Sequence, residues 1–225
     1  MDFAGLVRHT GRAPVEACCN DARFKVIGFR LEDHAAQSEA KMRKVIYAIN
    51  LTLDGCLDHT HGLPDEEVGQ YSMDLVRDAD VLVFGRKTYE LMVPYWPDIA
   101  KSDTEDKMDK DFAEAFVSKK KVVFSRSLPS AEGDDTRIVR TNLRDEVLKL
   151  KQEPGKNILV GGVDIPSQLI ALGLVDEFRF IVMPVLAGKG KRLFEGISLE
   201  KIQLKLVESK IFKSSGSVLL HYLKQ

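Results

Sequence analysis

Residues Asn157–Leu169 read "NILVGGVDIPSQL", and the reading of this stretch decides the fold. Ile158, Leu159 and Val160 make a short apolar run of strand character, and Ile165, Leu169, Ile170 and Leu172 then recur at helical spacing. Between the two stand adjacent glycines, Gly161 and Gly162. A tight strand-to-helix turn needs at most one residue with positive φ, so the second glycine points to something passing close to the backbone. A phosphate held by free amides at a helix N-terminus is the first candidate. The pattern is not GxGxxG, so the usual dinucleotide fingerprint is absent.

Working outward, the same alternation runs through most of the chain. Strands are predicted at Val45–Ile49, Val81–Phe84, Lys121–Phe124, Arg137–Arg140, Ile158–Val160 and Phe178–Val185. Helices are predicted at Asp65–Arg77, Lys87–Met92, Lys107–Val117, Leu143–Lys151 and Ile165–Leu172. Short β-branched strands separated by helices imply an α/β protein of three layers, a mostly parallel sheet covered on both faces. The end differs: "IQLKLVESKIF" and "SVLLHYL", joined by Lys213-Ser214-Ser215-Gly216, read as an antiparallel edge hairpin.

Residues 1–41 carry no sustained period apart from an apolar patch at Phe24–Leu31, and Met42 opens a basic dipeptide running into the first strand. We therefore expect an N-terminal appendage, 1–41, outside a single domain, 42–225; an extra element at Phe24–Leu31 is the alternative. Apolar content of 44% and charged content of 30% are those of an ordinary globular protein. Lys+Arg 33 against Asp+Glu 34 leaves no bulk charge for nucleic acid or an anionic membrane. No apolar run approaches a membrane span, the N-terminus lacks a signal-peptide core, and Cys18, Cys19 and Cys56 form no disulfide framework or metal knuckle. A cytoplasmic location is expected.

Two more corners resemble the first. In "VLVFGRKTYELM", Gly85 ends a strand and Arg86, Lys87 and Thr88 open a helix, where cations are poorly placed against the helix dipole unless an anion is bound. Arg supplies a donor fork and Lys a point charge, a pair suited to a phosphate monoester; side chains pointing into solvent are the other reading. In "KVVFSRSLP", Ser125 and Arg126 follow a strand, either as a ligand-facing loop or as a polar turn before Pro129. Strand C-termini of a parallel sheet share one edge, where ligands bind. Two separated anion sites there describe NADPH, with its pyrophosphate on the amides of Gly161, Gly162 and Val163. Asp164, placed to cap its own helix, would compete for those amides.

"INLTLDG", "FGRKTYE", "FSRS", "ILVGGVDIPSQLIALGLVDEFRFIVMPVLAGKGKRLF" and the closing hairpin, in this order, resemble the dihydrofolate reductase-like superfamily. The nearest branch holds the C-terminal reductase domain of bifunctional riboflavin biosynthesis proteins and its stand-alone relatives. The resemblance spans nearly all of 42–225. It implies an eight-stranded, mainly parallel sheet with an antiparallel C-terminal edge, NADPH as cofactor and frequently a homodimer. The long apolar run Phe178–Val185, if it lies at a sheet edge, invites such pairing.

By the same resemblance Ile49 and Asn50 lie beside the nicotinamide, and Thr52–Leu57, with Asp54, forms a lid over it. Folate reductases place a buried carboxylate at the start of the next helix, where Glu66 stands nearest, flanked by Asp65 and Glu67. Acidic residues are also favoured in any first helical turn by capping and by the dipole. Asp54 and Glu66 are thus the candidate catalytic carboxylates, and Asn50, Asp58 and His59 the candidate substrate contacts. His59 and His61 are too few to form a metal site. The expected function is NADPH-dependent reduction of a small heterocyclic or carbonyl substrate. The alternative is a nucleotide-binding protein on the same fold without turnover.

Overall fold

The computed structural model describes residues 42–225 apart from 58–59, 61–64, 103–105, 132, 134, 196–197 and 199. The expectations for residues 1–41, for Asp58 and for the histidines at 59 and 61 lie outside the described residues. In chain order the elements are β1 (Val45–Thr52), α1 (Glu66–Arg77), β2 (Ala79–Gly85), α2 (Arg86–Met92), α3 (Trp96–Lys101), α4 (Lys107–Val117), β3 (Lys120–Phe124) and β4 (Thr136–Val139). They continue with α5 (Leu143–Gln152), β5 (Asn157–Val160), α6 (Asp164–Ala171), β6 (Glu177–Met183), β7 (Leu204–Ile211) and β8 (Val218–Lys224).

The eight strands form one sheet in the order β4-β3-β2-β5-β1-β6-β8-β7. The first six are mutually parallel, while β8 runs antiparallel to both β6 and β7. Alternation splits the side chains between two layers. Val45 and Tyr47 of β1, Ile158 and Val160 of β5, and Phe178 of β6 join Val147, Leu150, Ile165 and Leu169 of α5 and α6 in one core. Leu82 and Phe84 of β2 face the other way, against Tyr89 of α2, Val93 just past its end and Phe116 of α4. Trp96 is a packed anchor in that second layer, 4.6 Å from Phe112 between ring centres.

Helix ends follow local chemistry. Asp65 caps α1 by accepting from Val68 N at 3.1 Å, and Asp106 and Asn142 cap α4 and α5. Two expectations change. β6 stops at Met183, since Pro184 has no N–H for the ladder, and it lies inside the sheet between β1 and β8. It is therefore not an edge, and the argument for pairing through Phe178–Val185 falls; the edges are β4 and β7. α3 was not foreseen, because six residues show no periodicity.

Candidate functional site

Ladder registers bring the three corners together. Gly85 lies opposite Phe124, and Val160 pairs with both Val83 and Tyr47, so the C-terminal ends of β1, β5, β2 and β3 form one rim. On this rim a cleft of about 650 Å³ is lined by Ile49, Gly85, Arg86, Lys87, Thr88, Gly161, Gly162 and Val163, together with Leu57 and Lys191. Ser125 and Arg126 line an adjoining pocket of about 790 Å³ with Arg140, and the two share Phe124 and Ile165 as a common wall.

The two glycines have different reasons to be there. Gly162 has φ of 82°, and a Cβ would collide with Thr88 Oγ1. Its carbonyl accepts from the hydroxyl of buried Tyr47 at 3.1 Å, and burial pushes that phenol's pKa up. At Gly161 a Cβ would meet nothing within 4 Å, so the missing side chain leaves open space in the cleft. The Gly161 amide donates to Val83 O at 2.9 Å and is not free for a ligand, contrary to expectation, because it continues the β5–β2 ladder. The amides of Gly162 and Val163 have no partner among the described residues.

Asp164 does not cap α6. The N-cap is Val163, with no side-chain hydrogen bond, and Asp164 is the first helical residue, its carboxylate paired with Lys191. The competition foreseen for the turn amides is thus absent, and a lysine sits at the mouth of the corner. Arg86 pairs with Glu90 one turn along at 3.2 Å, with both side chains close to half exposed. Such a pair is worth about 0.3–0.5 kcal/mol and exchanges readily for a stronger anion. Ser125 Oγ accepts from the amides of Ser127 and Leu128, at 3.3 and 3.0 Å, as the polar turn before Pro129.

Ile49, Leu57, Thr88 and Gly161 also line a second cavity, of about 360 Å³, so cleft and cavity adjoin across these residues. The cavity lies under α1 and α4 and is walled by Leu82, Phe84, Phe112, Phe116 and Ile181. Its polar lining comprises Asn50 from β1, Tyr71 and Ser72 from α1, Thr88 from α2 and Arg179 from β6. Arg179 donates to Tyr71 Oη at 2.9 Å and to Glu177 Oε2 at 2.9 Å. Glu177 is buried and also accepts from Lys44 Nζ at 2.6 Å, with His221 Nε2 at 3.2 Å. Burial alone would raise the Glu177 pKa, but hydrogen bonds from Lys44 and Arg179 leave it below its ordinary value.

Neither candidate catalytic carboxylate lines the cavity. Asp54 instead ties two loops together, accepting from Thr52 Oγ1 at 2.6 Å, Ala187 N at 3.0 Å and Gly188 N at 2.8 Å. Those bonds hold its carboxyl well below the usual range, which suits a clasp and not a proton donor. Glu66 is exposed and lines a separate surface groove with Asp106 and Lys107. Because Asp65 sets the helix start, Val68, Tyr71, Ser72, Leu75 and Val76 fall on the sheet-facing stripe and Glu66 falls off it. Its neighbours bind the hairpin turn: Glu67 accepts from Lys213 N and Asp65 from Ser214 Oγ.

The family model of the RibD C-terminal domain matches residues 43–215. The chain belongs to the RibD C-terminal domain family. Within reach of this family it is 38% identical over 187 residues to the uncharacterized protein YyaP of Bacillus subtilis (strain 168), covering 81% of this chain and 95% of YyaP. Among solved structures, a Shewanella sp. PV-4 protein provisionally assigned to riboflavin biosynthesis superposes with a TM-score of 0.61 at 19% identity, over 82% of this chain and 99% of that one. The Thermotoga maritima diaminohydroxyphosphoribosylaminopyrimidine deaminase/5-amino-6-(5-phosphoribosylamino)uracil reductase gives a TM-score of 0.58 at 18% identity, over 82% of this chain and 57% of that one. These two likenesses are of fold, the dihydrofolate reductase-like arrangement with its antiparallel C-terminal edge.

Three polar residues of this RibD C-terminal domain escape a reading of the sequence. Lys191 carried a faint signal in the glycine-flanked "AGKGK", but which wall it joins depends on Leu57 N donating to Lys191 O at 2.9 Å. Tyr71 occupies a helical position that suits any core aromatic, and Arg179 interrupts the otherwise apolar run Phe178–Met183, which was its one visible signal. Among the described residues no group of three or more His, Cys, Asp or Glu could hold a metal, and no helix is long and apolar enough to cross a membrane.

Proposed function

We propose that residues 42–225 form an NADPH-dependent reductase of a small heterocyclic or carbonyl substrate, acting in the cytoplasm as a homodimer. The observation that carries this reading is the wall that cleft and cavity share: Ile49, Leu57, Thr88 and Gly161 line both, so a glycine-cornered anion site on the strand rim adjoins an apolar chamber. The residues present fit the cofactor. Unpartnered amides of Gly162 and Val163, with Lys191 beside them, suit a pyrophosphate. Arg86, Lys87 and Thr88, with Ser125 and Arg126 next door, suit a ribose 2′-phosphate. Ile49 lines both cleft and chamber, Asn50 follows it in the chamber lining, and the two would flank the nicotinamide, which supplies hydride when bound.

The chain's own part is to orient and to exclude water. Leu82, Phe84, Phe112 and Ile181 keep the chamber dry, and the Asp54 clasp fixes the Thr52–Leu57 loop against the 187–192 loop at its mouth. Family membership and the reductase activity of the Thermotoga relative favour a heterocyclic substrate over a simple aldehyde.

The test is titration of NADPH and NADH against wild type, Arg86→Ala and Arg126→Ala. Each charge-assisted bond to the 2′-phosphate is worth about 1.5–3 kcal/mol, so Arg86→Ala should weaken NADPH about tenfold to a hundredfold and leave NADH unchanged. Equal losses for both nucleotides would make Arg86 structural, and no binding of either by wild type would remove the reductase reading.

A further inference from the structure

Alternation along β1 and β6 sends their side chains to opposite faces of the sheet. Asn50, Arg179 and Ile181 line the chamber under α1, whereas Leu51, Phe178 and Phe180 line a separate pocket of about 480 Å³ on the other face. Ile170 of α6 joins them, and Leu193, Phe194, Ile202 and Leu204 supply the apolar wall from the chain beyond β6. The volume is that of a small-molecule site, and a space walled by Leu, Ile and Phe holds water poorly and takes an apolar guest. Phe194 is the one non-glycine residue with positive φ among the described residues, at 65°. That backbone state is costly for a residue with a Cβ, and here it persists beside the pocket.

One charge interrupts this lining. Lys191 lines the cofactor cleft and pairs with Asp164, but Arg192, the next residue, lines the pocket on the other face. Its side chain is 46% exposed, and its one acidic partner among the described residues is Asp54, Nη2 to Oδ2 at 3.5 Å. Asp54 does not depend on that contact, because Thr52 Oγ1, Ala187 N and Gly188 N donate to it at 2.6–3.0 Å. Nη1 lies over Gly55, 3.6 Å from where a Cβ would stand, and Gly55 is itself part of the lining. Nη1 and Nε have no hydrogen-bond partner among the described residues. Glu195 accepts from the backbone amide of Arg192 at 3.4 Å and is not part of the lining.

We infer that this pocket is a second ligand site, for a monocarboxylate with an apolar body, whose carboxylate accepts from Arg192 while its body lies among Leu51, Phe178, Phe180 and Phe194. A planar carboxylate matches the guanidinium fork. A dianion is disfavoured, because the Asp54 carboxylate stands beside the same arginine. Ile49 and Leu57 are the lining residues it shares with the cofactor cleft, and the site holds whether or not the chain reduces a substrate.

The experiment is calorimetric titration of the full chain with octanoate and with octan-1-ol, which share an apolar body and differ in charge, using wild type and Arg192→Gln. No nucleotide is present, so the outcome is separate from that of the NADPH titration. Octanoate should bind at least about tenfold tighter than the alcohol. Arg192→Gln should cost octanoate about tenfold and leave the alcohol unchanged, with the melting temperature kept because the Asp54 contact is long and exposed. In the chain labelled with ¹⁵N-glycine, octanoate should shift the amide signal of Gly55 and leave those of Gly85 and Gly161, which line the cleft, in place. Equal affinity for acid and alcohol, equal losses of both in Arg192→Gln, shifts at Gly85 or Gly161 without one at Gly55, or no octanoate binding would each overturn the inference.

Discussion

A Cβ at Gly162 would meet Thr88 Oγ1 on a backbone with φ of 82°, whereas one at Gly161 would project into open cleft. The two positions should separate stability from binding. Gly162→Ala is expected to cost about 1–3 kcal/mol of stability, a loss of several degrees in thermal denaturation. Gly161→Ala is expected to unfold within a degree or two of wild type, its stability changed by at most about 0.5 kcal/mol, yet to bind NADPH at least about tenfold more weakly. The sequence raised the question of two glycines and suggested a close approach. It did not say that Thr88 approaches one and a ligand space the other, because that depends on packing between α2 and α6. Asp54 illustrates the same limit: an Asp-Gly turn and an active-site acid look alike until Ala187 and Gly188, far along the chain, are seen donating to it.

Among the elements, short β-branched strands and the caps Asp65, Asp106 and Asn142 are local signals, so all eight strands and five of the six helices were legible within a few residues. What local signals do not carry is which strand neighbours which, and so the pairing argument for Phe178–Val185 rested on a sheet edge when β6 is interior. The cleft-side loops depend on a contact of this non-local kind. Asp54's carboxyl is held below the ordinary value of 3.8, chiefly by Thr52 and by the Ala187 and Gly188 amides. A depressed folded-state pKa contributes stability that is present above 3.8 and is lost as pH falls below it. The melting temperature of wild type should therefore exceed that of Asp54→Asn by a constant margin from pH 7 to about pH 5, and the margin should shrink below about pH 4. A margin that stays flat through acid would show that the charge on Asp54 does not hold the loops.

At the scale of the molecule, β7 is one of the two sheet edges and carries exposed Leu206, Val207 and Ile211, with Val207 in the bulge between Leu206 and Glu208. Light scattering at micromolar concentration should report a homodimer, and a clean monomer would defeat that proposal. A chain beginning at Met42 should keep the fold and its melting temperature, since the family match begins at residue 43; a loss of several degrees would bring residues 1–41 into the domain. The central claim is that the rim formed by Gly85, Gly161 and Gly162 holds the cofactor. It is tested most directly by nuclear magnetic resonance of the full chain labelled with ¹⁵N-glycine, titrated with NADPH. The amide signals of Gly85, Gly161 and Gly162 should shift, while those of Gly155 and Gly173, which precede β5 and β6 at the opposite end of the parallel strands, stay in place. Shifts confined to Gly155 and Gly173, or none at all, would contradict it.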